Sequence, residues 1–160
     1  AADFGGLNHT EDVTYSGDRA PGGRTLVAFG EGPCLLTSVQ LMLECPDADM
    51  RKSLLEIFDG DTPLFSVPLH RFFLGPDGEA APLLEEYLPV WREAIREQEG
   101  YYSAPQVGWI RRGSKAPYRD VMYRLFENNP MPFAKGMKIY LTNGGGQALR
   151  LQADMLVRRA

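Results

Sequence analysis

Short apolar runs separated by turn-forming residues are the feature of this chain that most restricts its fold. The run from Leu35 to Glu44 alternates, and so does the final segment Gln147–Arg158. Successive side chains of a strand point to opposite faces, so alternation predicts strands with one face buried. The residues expected on the inward faces are Leu35, Thr37, Val39, Leu41 and Leu43 in the first run, and Leu149, Leu151, Ala153, Met155 and Val157 in the second.

Strand candidates occur along most of the chain after Arg24. They are Arg24–Phe29, Leu35–Glu44, 51–58, Leu64–Val67, Tyr101–Ser103, Val107–Arg111, Tyr118–Phe126, Met137–Thr142 and Gln147–Arg158. Asp59-Gly60-Asp61 and the run Asn143–Gly146 are hairpin signals, because Gly accepts a positive φ and Asp and Asn tolerate it. No alternation of strands with helices indicates a parallel sheet. The pattern predicts an all-β protein, an antiparallel jelly-roll sandwich of about eight strands.

One segment departs from the β pattern. Residues 81–99 carry apolar side chains at helical spacing, including Leu84, Leu88, Trp91 and Ile95. Pro89 suits the first residue of a helix, and Gly100 suits the position after its end. The spacing predicts one helical insertion near 81–99, packed against a sheet.

The first 23 residues are rich in Gly, Asp and Thr, with one short strand-like patch at Val13–Tyr15. They predict an N-terminal arm at 1–23, followed by a single domain at 24–160. Such an arm holds too few apolar residues to offset the entropy of ordering it alone. We therefore expect it to dock on a neighbouring subunit and so to direct assembly. Its apolar anchors are Phe4, Leu7, Val13 and Tyr15.

Cys34 and Cys45 bracket the strongest strand candidate. An extended run of that length separates its ends by roughly 36 Å, whereas the Cα atoms of a disulfide lie within about 7 Å. The two cysteines are therefore predicted not to bond to each other.

Composition excludes several classes of protein. The chain has 17 Lys and Arg against 21 Asp and Glu, a net charge of −4. It lacks the basic balance of a nucleic-acid binder. No apolar run reaches the roughly 20 residues that span a bilayer. The start at Ala1-Ala2-Asp3 favours a mature form produced by cleavage after small residues, or a trimmed chain. An extracellular or cell-surface location is the corresponding expectation.

Acidic pairs at turns are the main candidates for chemistry. A glycosidase needs two carboxyl groups about 5–10 Å apart. The candidate pairs are Glu11 with Asp12, Asp47 with Asp49, and Asp59 with Asp61. Acidic side chains at turns can also simply satisfy backbone donors. Oxygen ligands gathered at one end of a sandwich could bind calcium, and no other cofactor is indicated. The calcium candidates are Asp47, Asp49, Asp59 and Asp61.

Four segments, in order, resemble one family. They are Gly30-Glu31-Gly32-Pro33 before a long apolar strand; Ile57-Phe58-Asp59-Gly60 with Pro63, then Val67-Pro68-Leu69 and Phe72-Phe73-Leu74-Gly75; the stretch Asn129–Gly136 with its Pro-Met-Pro-Phe core; and Lys138–Asn143, a strand ending in Asn. Together, from about residue 24 to 158, they resemble the first jelly roll of glycoside hydrolase family 172.

The resemblance implies a jelly roll and a tendency to form trimers or larger rings. The family's catalytic glutamates belong to its second roll, to which nothing here corresponds; Thr10-Glu11-Asp12 echoes one of its motifs at the wrong end of the chain. The resemblance therefore assigns no catalytic residue. The favoured interpretation is a non-catalytic, self-assembling jelly roll that forms a ring, tube or shell. The alternatives are a furanosidase-like glycoside hydrolase subunit or fragment, and a carbohydrate-binding module in which Trp and Tyr side chains stack on sugars.

Overall fold

The computed structural model describes residues 4–45, 53–73, 107–112, 118–126 and 130–160, and this part of the chain forms two antiparallel sheets. The elements in chain order are β1 (His9–Arg19), β2 (Arg24–Glu31), β3 (Cys34–Cys45), β4 (Leu54–Asp59), β5 (Thr62–Pro68), α1 (Leu69–Phe72), β6 (Val107–Arg112), β7 (Tyr118–Leu125), β8 (Met131–Phe133), β9 (Gly136–Thr142) and β10 (Leu149–Arg159).

The strand order is that of a jelly roll. Sheet A has the order β1-β10-β3-β7-β6, and β8 pairs with β3 beyond the end of β7. Sheet B has the order β2-β9-β4-β5. Without β6 and β8, eight strands remain, four in each sheet, and the chain crosses repeatedly between the two layers. The predicted antiparallel sandwich is confirmed.

The inward faces of β3 and β10 supply much of the core. All five inward residues predicted for β10 are buried. In β3, Val39, Leu41 and Leu43 are buried as predicted, but Leu36 occupies the inward position expected for Leu35. The reason is a β-bulge: Leu156 pairs with Ser38 while Val157 pairs with Leu36, so the intervening residue is extra and reverses the alternation.

The N-terminal arm predicted at 1–23 is corrected for residues 9–19, which form β1. This strand pairs with β10 along its whole length, from His9 opposite Arg159 to Arg19 opposite Leu149. Val13 and Tyr15 pack against the chain's own core. The outward positions of β1 are polar, so its sequence pattern predicted an arm rather than a half-buried edge strand.

One predicted hairpin is confirmed, and the other is wrong. Asp59-Gly60-Asp61 joins β4 to β5, with Gly60 at φ +60°. The run Asn143–Gly146 instead joins β9 in sheet B to β10 in sheet A. Buried Asn143 organises this corner: its Nδ2 donates to the carbonyl oxygens of Arg19 and Gln147, at 3.0 and 2.9 Å.

The prediction for the cysteines agrees with the structure, since β3 is one strand from Cys34 to Cys45. Cys34 is a buried free thiol, and burial raises its pKa. The predicted helical insertion near 81–99, with Leu84, Leu88, Trp91 and Ile95, lies outside the described residues.

Candidate functional site

Glu11 and Asp12, one of the candidate carboxylate pairs, have separate partners. Glu11 forms an ion pair with Arg159, Oε2 to Nη1 at 2.7 Å. Asp12 points to the outer face of sheet A, where it lines the same small depression as Asp154 on the paired strand β10. Desolvation raises the pKa of Asp154, and interaction with the Asp12 carboxyl group raises it further. The adjacent Glu11 and Asp12 thus lie on opposite faces of β1.

The proximity of Asp12 and Asp154 has an electrostatic consequence. Two like charges close together disfavour ionisation of both carboxyl groups, so Asp154 binds a proton more readily than an isolated carboxylate does.

The calcium candidates do not converge in the described part of the chain. The carboxylate of Asp59 accepts three backbone N–H groups: Oδ2 from Ala134 at 3.1 Å, and Oδ1 from Lys135 at 2.8 Å and Gly136 at 3.1 Å. Asp61 pairs with Lys138 at 3.2 Å. Among the described residues no group of three or more His, Cys, Asp or Glu is placed to hold a metal. Asp47 and Asp49 lie outside them.

The contact of Asp59 joins two segments that the sequence singled out separately. The hairpin at the β4–β5 turn meets the loop that follows Phe133, and Gly60 N–H also donates to Gly136 O at 2.7 Å. Gly32 reaches the same loop, with its N–H 3.2 Å from Lys135 O. Three segments of the family resemblance thus meet in one corner, where their main role is structural.

The side chains predicted as assembly anchors pack largely against their own chain. Leu7 is buried, Phe4 is half-buried, and Val13 and Tyr15 contact the core. The β1–β2 connection is also fixed, since Gly22 N–H donates to Asn143 O at 2.8 Å and Asn143 N–H to Gly23 O at 3.0 Å. Much of the apolar surface of these side chains is therefore covered within the chain.

The outer face of sheet A carries a shallow polar groove. Three depressions, with volumes of about 330, 380 and 120 Å³, share Gln40. Strand pairing arranges the lining in rows. One row is Thr14, Asp154, Gln40 and Tyr123, and the next is Ser16, Gln152, Met42 and Val121. The rows present amide and hydroxyl groups, but apolar atoms form most of the lining surface of the two larger depressions, and Met42 is 41% exposed.

The outer face of sheet B has a different character. Leu26 and Phe29 on edge strand β2 are 40% and 49% exposed. Beside them, the rings of Phe58 and Tyr140 meet edge to face, with centroids 5.6 Å apart. The Arg24 guanidinium lies 3.8 Å from the Tyr140 centroid. We call these five residues the sheet B patch.

Charges around the sheet B patch are compensated within the chain. Arg24 Nε donates to Glu56 Oε1 at 2.9 Å, and this hydrogen bond raises the pKa of Arg24 further. Lys138, which pairs with Phe29 and Phe58 in register, has Asp61 as its ion-pair partner. The patch is therefore amphipathic and close to neutral.

Arg124 is the most unusual residue that the sequence analysis did not single out. Its side chain is 2% exposed, and Nη1 donates to Phe72 O at 2.7 Å. The guanidinium carbon lies 5.4 and 5.9 Å from the ring centroids of Phe72 and Phe126. Burial lowers the pKa of Arg124 to about 9. In the sequence, Arg124 alternates with the apolar residues Met122 and Phe126, and this pattern could have identified it as an inward-facing residue of the strand. Arg124 ties β7 to the C-terminal end of α1.

The fold and these surfaces define a jelly-roll sandwich with two chemically distinct outer faces. A scan against protein-family models finds no match, and a search of curated proteins finds no similar sequence. Within the described residues, no helix has the length and hydrophobicity to cross a bilayer.

Proposed function

We propose that this chain is a non-catalytic jelly-roll subunit that self-associates through the outer face of sheet B. The observation that carries the proposal is the sheet B patch, where two exposed apolar side chains adjoin an Arg–Tyr–Phe cluster. Scattered exposed apolar residues are ordinary on a protein surface. A contiguous cluster containing Phe, Tyr and Arg is instead typical of the centre of a protein–protein interface.

The charge distribution favours a second copy as the partner. Arg24 and Lys138 are already paired with Glu56 and Asp61, so the patch offers little net charge to an anionic or cationic partner. A near-neutral apolar patch is complementary to itself, as a two-fold interface requires.

A bulge in edge strand β2 indicates how two copies would contact each other. This edge strand has a register shift between Leu26 and Ala28. A bulge twists an edge away from further strand pairing. Association is therefore proposed to occur face to face, with Leu26 and Phe29 buried between copies, rather than by extension of the sheet.

The resemblance to glycoside hydrolase family 172 supports self-association in general, since that family forms trimers and rings, whereas the two-fold contact proposed here makes a dimer. The resemblance also leaves a furanosidase subunit as the alternative. An extracellular or cell-surface location remains a prediction from the sequence.

Sedimentation velocity across a range of concentrations tests the proposal. The full chain should show a mass larger than the monomer, whereas Leu26→Lys with Phe29→Lys should shift it to the monomer. Met42→Lys is the matched control, because Met42 has nearly the same exposure on the other sheet. Its oligomer should be unchanged. A monomeric full chain, or equal dissociation by Met42→Lys, would refute the role of the sheet B patch.

A further inference from the structure

The groove on the outer face of sheet A has the lining of a binding site. Its three depressions are continuous, since Gln40 borders all of them and Met42 and Gln152 border the two larger ones. The rows across the strands place side chains about 4.8 Å apart, and the rows themselves are about 6.8 Å apart along the strands. A ligand lying across the strands would therefore meet a regular series of polar groups.

The chemistry of the two central rows is polar and almost uncharged. Gln40 and Gln152 each present a donor and an acceptor, and Thr14, Ser16 and Tyr123 present hydroxyl groups. Met42 and the Tyr123 ring add apolar surface. In these two rows, as far as the structure describes them, Asp154 is the one acidic residue and no lysine or arginine occurs.

Besides Asp154, charged side chains border the groove at both ends. Asp12 lines the smallest depression at one end. Glu44 and Arg150 border the other end, in the row of Asp18. Arg150 Nε lies 3.4 Å from Asp18 Oδ1. The positive charge at this end already has a carboxylate partner, so an anionic ligand such as a phosphate gains little.

We infer that the groove binds a neutral oligosaccharide whose chain runs across the strands of sheet A. Sugars present closely spaced hydroxyl groups, each both donor and acceptor, together with C–H faces of low polarity. Amide and hydroxyl side chains complement the hydroxyl groups, while Met42 and the Tyr123 ring complement the C–H faces. The spacing between neighbouring side chains in a row is of the order of one sugar unit. The site is independent of the sheet B patch.

Isothermal titration calorimetry with neutral gluco-, xylo-, manno- and arabino-oligosaccharides tests this inference, with an oligogalacturonate as the anionic comparison. We expect at least one neutral series to bind with a Kd in the micromolar to millimolar range, more tightly as the chain lengthens. The oligogalacturonate should bind more weakly.

Gln40→Ala and Tyr123→Ala should each weaken binding by about fivefold or more, the effect of losing roughly 1 kcal/mol. Gln40 is exposed, so its substitution leaves the core intact. Asp61→Asn, in the exposed β4–β5 hairpin of sheet B, is the control and should bind as the unaltered chain does. Absence of binding by every neutral series at millimolar concentration overturns the inference. Undiminished binding by Gln40→Ala, or preference for the anionic oligosaccharide, does so as well.

Discussion

Replacing Asp59 should destabilise the sandwich more than its position in a surface turn suggests. Its carboxylate accepts three backbone N–H groups from the loop at 134–136. A hydrogen bond to a charged group contributes about 1.5–3 kcal/mol when buried. Asp59 is half-buried, so water can replace part of each hydrogen bond when it is lost. We therefore assign roughly 1 kcal/mol to each of the three bonds. Asp59→Ala should therefore lower the free energy of unfolding by about 2–4 kcal/mol.

Asp59→Asn separates hydrogen bonding from a general effect of substitution. Its carbonyl oxygen can still accept from Lys135 and Gly136, but its amide group faces the N–H of Ala134, and two donors do not bond. The expected loss is about half that of Asp59→Ala. Asp61→Asn is the control in the same hairpin, since the Asp61 carboxylate is fully exposed and pairs with the Lys138 side chain, and it should leave the free energy of unfolding almost unchanged.

Urea unfolding followed by far-ultraviolet circular dichroism measures all three variants against the unaltered chain. Equal losses for Asp59→Ala and Asp61→Asn would contradict the assignment of Asp59 as the link between the hairpin and the loop. So would a loss for Asp59→Asn that matches the loss for Asp59→Ala.

Two further predictions concern the same fold. Gly32→Ala places a Cβ 2.6 and 2.7 Å from the backbone oxygens of Lys135 and Ala134, and should cost about 1–3 kcal/mol in urea unfolding; Gly6→Ala, with no atom within 4 Å, is its control. Asp154→Asn should stabilise the protein at neutral pH by at most about 1 kcal/mol. The raised pKa of Asp154 means that the folded state binds the proton more tightly, so repulsion from Asp12 is relieved as the pH falls through that pKa. The gain from Asp154→Asn should accordingly vanish in acid, and an equal gain at both pH values would show that charge is not its cause.

The sandwich could be predicted from sequence because a strand with one buried face alternates apolar and polar residues, and this period of two is visible in the sequence. That pattern located β10 and most of β3, but it cannot show where a bulge reverses it, as happens at Thr37. It also missed β1, since an edge strand with a polar outer face shows few apolar residues. The hairpin signal at Asn143 failed for a related reason: a turn sequence fixes local backbone geometry but not whether the next strand returns to the same sheet.

The candidate surfaces depend on register, and the sequence does not show register. Gln40 and Gln152 are far apart in the chain, and only the pairing of β3 with β10 brings them to one groove. Asp12 and Asp154 likewise meet only through the pairing of β1 with β10. The sequence analysis named Asp12 for chemistry but paired it with Glu11, its neighbour in the chain, which strand alternation places on the opposite face.

The two proposed surfaces are compatible because a sandwich uses its inner faces for the core and leaves both outer faces free. Face-to-face contact through Leu26 and Phe29 buries the outer face of sheet B, while the groove around Gln40 lies on the opposite outer face. Assembly would then present one groove per copy. Single grooves this shallow bind weakly, but several on one particle gain from effective concentration when a polymer can reach more than one of them. The Leu26→Lys, Phe29→Lys chain should therefore retain the affinity of the unaltered chain for a short oligosaccharide and lose affinity for a long polysaccharide. Equal affinity of both chains for the polysaccharide would show that assembly and glycan binding are not linked.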